Sequence, residues 1–170
     1  MSKPPTFEQL RLTLAAGPTR PKQLIELLGI SQPTLSRLIR SGGDAVVRVG
    51  AARSIQYALR DTSRRFGDVP VYRVAADGTL RRLGVLVPVR PDGFVMQQDD
   101  GKTLVTDGLP WWLMDMRPEG FLGRAWAQRH GPGLGLPSRL VEWSDSHALR
   151  ALIAAGHDAE GRESVKAAQS

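Results

Sequence analysis

Ser31-Gln-Pro-Thr-Leu-Ser-Arg-Leu-Ile-Arg40 is the stretch on which the reading of this chain turns. Serine is a preferred N-cap, and Pro33 stands in the first helical turn, where its missing N–H costs nothing. Leu35, Leu38 and Ile39 then recur at helical spacing and predict a helix to about Arg40 with one apolar stripe. The other side carries Gln32, Thr34, Ser36, Arg37 and Arg40. These are short hydrogen-bonding groups and guanidiniums, the types that reach base edges and phosphates. No acid occurs between Glu26 and Asp44, and a carboxylate in a groove would be repelled by phosphates.

Working outward, Thr19 and Pro21 open a preceding helix with Leu24, Ile25, Leu27 and Leu28, and Gly29 suits the left-handed position behind it. Thr6 caps a first helix to about Ala16, with Phe7, Leu10 and Leu14 on one face, ended by Gly17-Pro18. Two short helices joined by a Gly-containing turn form the helix-turn-helix layout. After Gly42-Gly43 the period changes to two. Residues 45–49 and 54–58 read as a hairpin with Arg48 and Arg53 at or near its tip. A basic hairpin behind a recognition helix is a wing. Residues 1–62 are therefore expected to be a winged helix-turn-helix that binds double-stranded DNA. The expected contacts are Arg20, Lys22, Gln32, Thr34, Ser36, Arg37, Arg40, Arg48 and Arg53. A solvated basic surface, or a three-helix scaffold for protein contacts, is the alternative.

Charge supports the first reading. The net charge of +6 is uneven: residues 1–66 hold eleven Lys/Arg against Glu8, Glu26, Asp44 and Asp61, whereas residues 67–170 are close to neutral. Such a field usually faces a polyanion.

Residues 63–70 are polar, contain Gly and Pro, and are expected to be a linker. Beyond them, alternating runs at 71–74, 80–87 and 93–97, separated by Asp-Gly turns, predict a small antiparallel sheet of three or four strands. Short helices follow from Pro110, from Phe121 to about Arg129, and from a Ser144 cap to Gly156. This second domain is placed at 71–158, with a flexible tail at 159–170. The fold class is α+β.

There is no cysteine among the 170 residues, which excludes disulfides, thiolate zinc sites and a thiol nucleophile. His130, His147 and His157 lack the spacing of a metal site, and the glycines at 131, 133 and 135 do not complete a phosphate loop. No cofactor, metal or catalytic residue is expected, hence no enzyme. The start MSKPPTFEQL has no apolar leader and no run is long enough to span a membrane, so the expected location is the cytoplasm. All four tryptophans lie in the second half. Adjacent Trp111 and Trp112 cannot share one face of a helix or strand. One of them, with Met114, Met116 and Phe121, is a candidate partner-binding face unless the last helix covers it.

The run Leu109-Pro-Trp-Trp-Leu-Met-Asp-Met-Arg-Pro-Glu-Gly-Phe-Leu-Gly-Arg124, with Gly135-Leu-Pro137, Trp143-Ser-Asp145 and Gly156-His-Asp158, resembles HipA-family proteins of the YjjJ-like branch. The resemblance implies a winged helix-turn-helix ahead of a HipA-type N-terminal subdomain. The phosphate loop and catalytic residues of that family's kinase core have no matching positions here. It implies an antitoxin and transcriptional repressor that binds operator DNA and a HipA-like kinase chain. Because one winged helix reads few base pairs, action on DNA as a homodimer or through a dimerising partner is expected. The alternatives are a regulatory piece of a longer HipA-like kinase and a stand-alone repressor that senses a small ligand.

Overall fold

The computed structural model describes residues 5–114, 116–160 and 165–167. It is an α+β protein. Its first three helices are α1 (Phe7–Leu14), α2 (Pro21–Leu28) and α3 (Gln32–Gly42). Leu10, Leu14, Leu24, Leu35 and Leu38 meet in one core, joined by Leu59 from the hairpin that follows. Gly29 ends α2 with φ +61°, a left-handed conformation that glycine adopts without steric cost, and its N–H donates to the Ile25 carbonyl. This turn lets α3 start three residues later, at Gln32, capped by Ser31.

The hairpin pairs β1 (Val46–Val49) with β2 (Gln56–Leu59), from Val46 opposite Leu59 to Val49 opposite Gln56. Thr19 bridges to Tyr57, with both amide N–H groups donating across at 2.9 Å, which ties the α1–α2 turn to β2.

A second sheet has the order β6-β5-β4-β3-β7, formed by β3 (Val69–Val74), β4 (Leu80–Pro88), β5 (Phe94–Gln98), β6 (Thr103–Thr106) and β7 (Val165–Ala167). The small antiparallel sheet expected from the alternation is thus larger and mixed: four strands are antiparallel and β7 runs parallel to β3. A bulge interrupts the β3–β4 register at Val71/Tyr72, opposite the step between Gly84 and Arg82. Gly84 sits there at φ +154°, where a β-carbon would lie 2.0 Å from the Gln97 carbonyl oxygen, so the strands close up only because no side chain is present.

Both faces of this sheet are covered. On one, Val69, Val71, Leu86, Phe94 and Met96 pack beneath Leu109, Leu113 and Leu149. These last three belong to the segment entering α4 (Trp111–Met114), to α4 itself and to α6 (Asp145–Glu160). On the other face, Val87, Val89 and Val95 pack against Val47, Val49 and Ala58 of the hairpin. The arrangement is three layers: helices, five-stranded sheet, hairpin. A smaller cluster joins α5 (Gly120–His130) to α6 through Ala127, Leu136, Trp143, Ala148 and Ala151.

The stretch at and just before the expected linker (63–70) is packed and hydrogen-bonded, and Val69 and Pro70 already belong to β3. Arg60 bridges to Val89, the Asp61 N–H donates to the Pro88 carbonyl, and the Arg90 N–H donates to Leu59. Arg64 is buried and donates to the Asp61 carboxylate at 2.8 Å and to the Val89, Pro91 and Asp92 carbonyls. Its guanidinium lies 4.9 Å from the centroid of the Phe94 ring, which stacks on Phe66. Burial alone would raise the Asp61 pKa, but hydrogen bonds from Ser63 and Arg64 outweigh it and hold the carboxyl below its ordinary value.

That shift has a pH consequence. A carboxylate whose folded pKa is depressed stabilises the fold above the unfolded pKa, here about 3.8, and loses that contribution as pH falls through the folded value. Urea unfolding at pH 7 and pH 3 is therefore expected to show a smaller stability loss on acidification in Asp61→Asn than in the wild type. An equal loss in both would mean that the Asp61 pairing does not contribute.

Two further differences concern the end of the chain. The α6 helix does not stop at Gly156 but continues to Glu160, and Val165–Ala167 of the expected tail forms β7. The rest of that tail, 161–164 and 168–170, lies outside the described residues.

Candidate nucleic-acid interface

The site begins with the cap of α3. The Ser31 hydroxyl accepts from the Thr34 N–H at 3.4 Å and lies 3.0 Å from the Thr34 hydroxyl. Thr34 in turn accepts from an Arg37 guanidinium nitrogen at 3.3 Å. Leu35 and Leu38 are buried, so the helix is held by one face while Gln32, Ser36, Arg37 and Arg40 are exposed on the other. Thr34 is half-buried and partly engaged in the cap. Gln32 and Ser36 lie four apart and Arg40 four beyond, along one helical row.

Arg20 and Lys22 flank the start of α2 and are exposed. Arg48 points away from the buried Val47 and Val49 on β1, as strand alternation requires, and Arg53 stands on the one-turn helix Ala52–Ser54 at the hairpin tip. Among the described residues none of Arg20, Lys22, Arg37, Arg40, Arg48 or Arg53 forms a salt bridge, whereas Arg11, Arg60, Arg64, Arg82, Arg90, Arg117 and Arg139 all do. The uncompensated arginines of the first module are the residues that sequence singles out for phosphate and base contact.

The hairpin tip is braced from below. The Gly50 N–H donates to the Thr103 hydroxyl of β6 at 2.6 Å, so the basic loop rests on the second sheet. Sequence reasoning missed this support. Its signal was present in the Val47/Arg48/Val49 alternation, which demands an apolar surface for two valines that a free-standing wing does not offer.

The candidate partner face is split by the structure. Trp111, Met114 and Phe121 are exposed, whereas Trp112 and Met116 pack against the core formed by the sheet, α4 and α6. Trp126 meets Trp143 edge-on at 6.2 Å and lies 5.1 Å from the His130 ring, so these two tryptophans are structural. Among the described residues no group of three or more His, Cys, Asp or Glu could hold a metal ion, and no helix is long and apolar enough to cross a membrane.

An α+β protein whose uncompensated basic surface sits on two helices and a hairpin, backed by a mixed sheet, defines the class. The profile of the family described as "YjjJ-like toxin, middle domain" matches residues 66–168, and the chain belongs to the YjjJ-like toxin family. Over 147 residues it is 38% identical to "Toxin YjjJ" of Escherichia coli (strain K12), a match covering 86% of this chain and 33% of the relative. The chain thus spans about a third of the length of the curated relative it matches. No solved structure matches it.

These findings correct the functional expectation. Family and relative carry the name of a toxin, so the chain is not assigned as an antitoxin, a transcriptional repressor or a DNA-binding transcription regulator. The readings as a regulatory piece of a HipA-like kinase and as a ligand-sensing repressor are not favoured either.

Proposed function

We propose that this chain is the duplex-docking part of a YjjJ-like toxin: a winged helix-turn-helix at residues 5–60, set on a second unit of the HipA N-terminal-subdomain type. The observation that carries the reading is the outer face of α3, where Gln32, Ser36, Arg37 and Arg40 stand exposed without a neighbouring acid. A helix so anchored can enter a major groove about 12 Å wide. Arg48 and Arg53 on the hairpin are then placed for the flanking phosphates or minor groove. The role is contact with double-stranded DNA as part of a toxin, not control of transcription. A second reading, a basic surface for an acidic protein, lacks the hydrogen-bonding row of Gln32 and Ser36 as a motive.

Fluorescence anisotropy with a random-sequence 20-base-pair duplex tests it. Binding is expected at low salt and should weaken linearly in log–log form, with a slope of about −0.9 for each phosphate neutralised. A flat salt dependence, or no duplex binding at low salt, overturns the proposal.

A further inference from the structure

Arg65 is held in a backbone conformation that side chains rarely adopt. Its φ is +62°, in the left-handed region, where an arginine carries strain that a glycine would not. The residue is exposed, and among the described residues its guanidinium has neither a hydrogen bond nor a salt bridge. It stands instead against the glycine-rich loop that joins α5 to α6. A β-carbon on Gly135 would lie 3.4 Å from Arg65 Nη1 and 3.6 Å from Arg150 Nη2. Two arginines from distant segments thus converge on one point, which Gly135 leaves open. Arg150, half-buried on α6, donates to the Leu134 and Gly135 carbonyls. Those bonds fix its guanidinium and use only some of its five N–H donors. The acids nearest in sequence are already paired: Asp61 with Arg64, Asp68 with Arg60, Asp145 with Arg117 and Glu142 with Arg139.

We infer that Arg65 and Arg150, beside Gly135, form a binding site for a phosphate dianion, taken as free phosphate or as the monoester of a small organic molecule. Two like charges brought together without a counter-charge repel, and an anion between them removes the repulsion. Guanidinium forks match the oxygens of a tetrahedral phosphate, which can accept from both at once. Side chains and not backbone amides are the receptor here, since the Gly135 and Leu136 N–H groups donate to the Pro132 and Gly131 carbonyls. The position argues against the backbone of a docked duplex as the source. The hairpin packs on one face of the five-stranded sheet, whereas Phe66, next to Arg65, packs on the other face with the core beneath α4 and α6. The inference does not rest on the duplex reading.

Thermal unfolding of the 170-residue chain tests it, in about 20 mM sodium phosphate, in ribose 5-phosphate at the same concentration, and in sodium chloride of equal ionic strength. For a site of about millimolar affinity, phosphate should raise the midpoint by roughly 3–6 °C over chloride. A larger rise with ribose 5-phosphate marks an organic ester as the better ligand, and an equal rise marks phosphate itself. Arg65→Gly fits the left-handed conformation without strain, so its midpoint in chloride should equal or exceed that of the wild type. It should retain only the general stabilisation that phosphate gives any protein. The variant Arg20→Gln, Lys22→Gln, Arg48→Gln, Arg53→Gln should respond to phosphate as the wild type does. The inference is overturned by a wild type that does not respond, by an undiminished response in Arg65→Gly, or by a response lost in the quadruple variant. A midpoint of Arg65→Gly well below wild type in chloride would also overturn it, by showing that Arg65 is a structural residue.

Discussion

Replacing Arg64 by alanine is expected to lower the unfolding free energy by about 3–5 kcal/mol, the range for breaking one side of a buried ion pair. The guanidinium is satisfied by the Asp61 carboxylate and by three carbonyls of the Val89–Asp92 loop. Its removal leaves a carboxylate that is 3% exposed with Arg90 at 3.3 Å as its remaining cation. It also strips the Phe94 ring of the cation above it. Each loss falls where the first module meets the second, so both should melt together and earlier. Chemical denaturation followed by tryptophan fluorescence, which reports the second unit, and by far-UV circular dichroism checks this. The pair counts as structural if Arg64→Met is also strongly destabilised, because methionine restores volume but leaves Asp61 without its nearest charge. A loss below about 1 kcal/mol in both variants would show that water replaces Arg64 freely.

This network explains what sequence reasoning could and could not see. The α3 helix was legible because each determinant is local: the Ser31 cap, Pro33 in the first turn, and Leu35 and Leu38 one turn apart. The hairpin was legible through its period of two. Residues 63–70 read as a linker because Ser63, Arg64 and Gly67 carry no periodicity. The groups that bury Arg64 are backbone carbonyls 25 to 28 residues away, and no local pattern announces them. Gly156 reads as a helix stop, yet α6 passes through it; a single glycine costs a helix roughly 1 kcal/mol, which the packing of Leu149 and Ala151 can outweigh. At the candidate interface, residue type and spacing indicated which side chains face outward. The Gly50–Thr103 bond beneath the hairpin was invisible for the same reason as Arg64: its two ends are 53 residues apart. The Trp111–Trp112 pair shows the limit most clearly. Helical geometry requires that they part company, but which one packs against the core is set by distant residues such as Leu149 and Ile153 of α6, and the structure places half-buried Trp112 there.

The largest expected effect on binding comes from separating phosphate contacts from base contacts. In the variant Arg20→Gln, Lys22→Gln, Arg48→Gln, Arg53→Gln, four exposed cations without acidic partners are removed. If each neutralises one phosphate, the slope of log affinity against log salt becomes shallower by roughly 3.6. Between 50 and 200 mM salt the wild type should then lose about 10²-fold more affinity than the variant. Sequence preference should survive, because Gln32, Ser36 and Arg37 are untouched. Arg37→Ala should behave in the opposite way. Its guanidinium is exposed and leans on the Thr34 hydroxyl at 3.3 Å, which holds it along α3, and a bidentate arginine–guanine pair gives roughly 1–3 kcal/mol of discrimination. Selection from a random duplex pool should enrich a guanine-containing motif with the wild type and the quadruple variant. The same position should be degenerate with Arg37→Ala, whose salt slope changes by at most about one phosphate. All five residues are exposed, so thermal midpoints should stay within about 1 °C of wild type, surface substitutions being nearly neutral. If the quadruple variant keeps the full salt slope, the hairpin and the start of α2 do not touch the backbone. If Arg37→Ala weakens every duplex equally and leaves the enriched motif unchanged, α3 is not the reading element, and the outer face of this helix has another use.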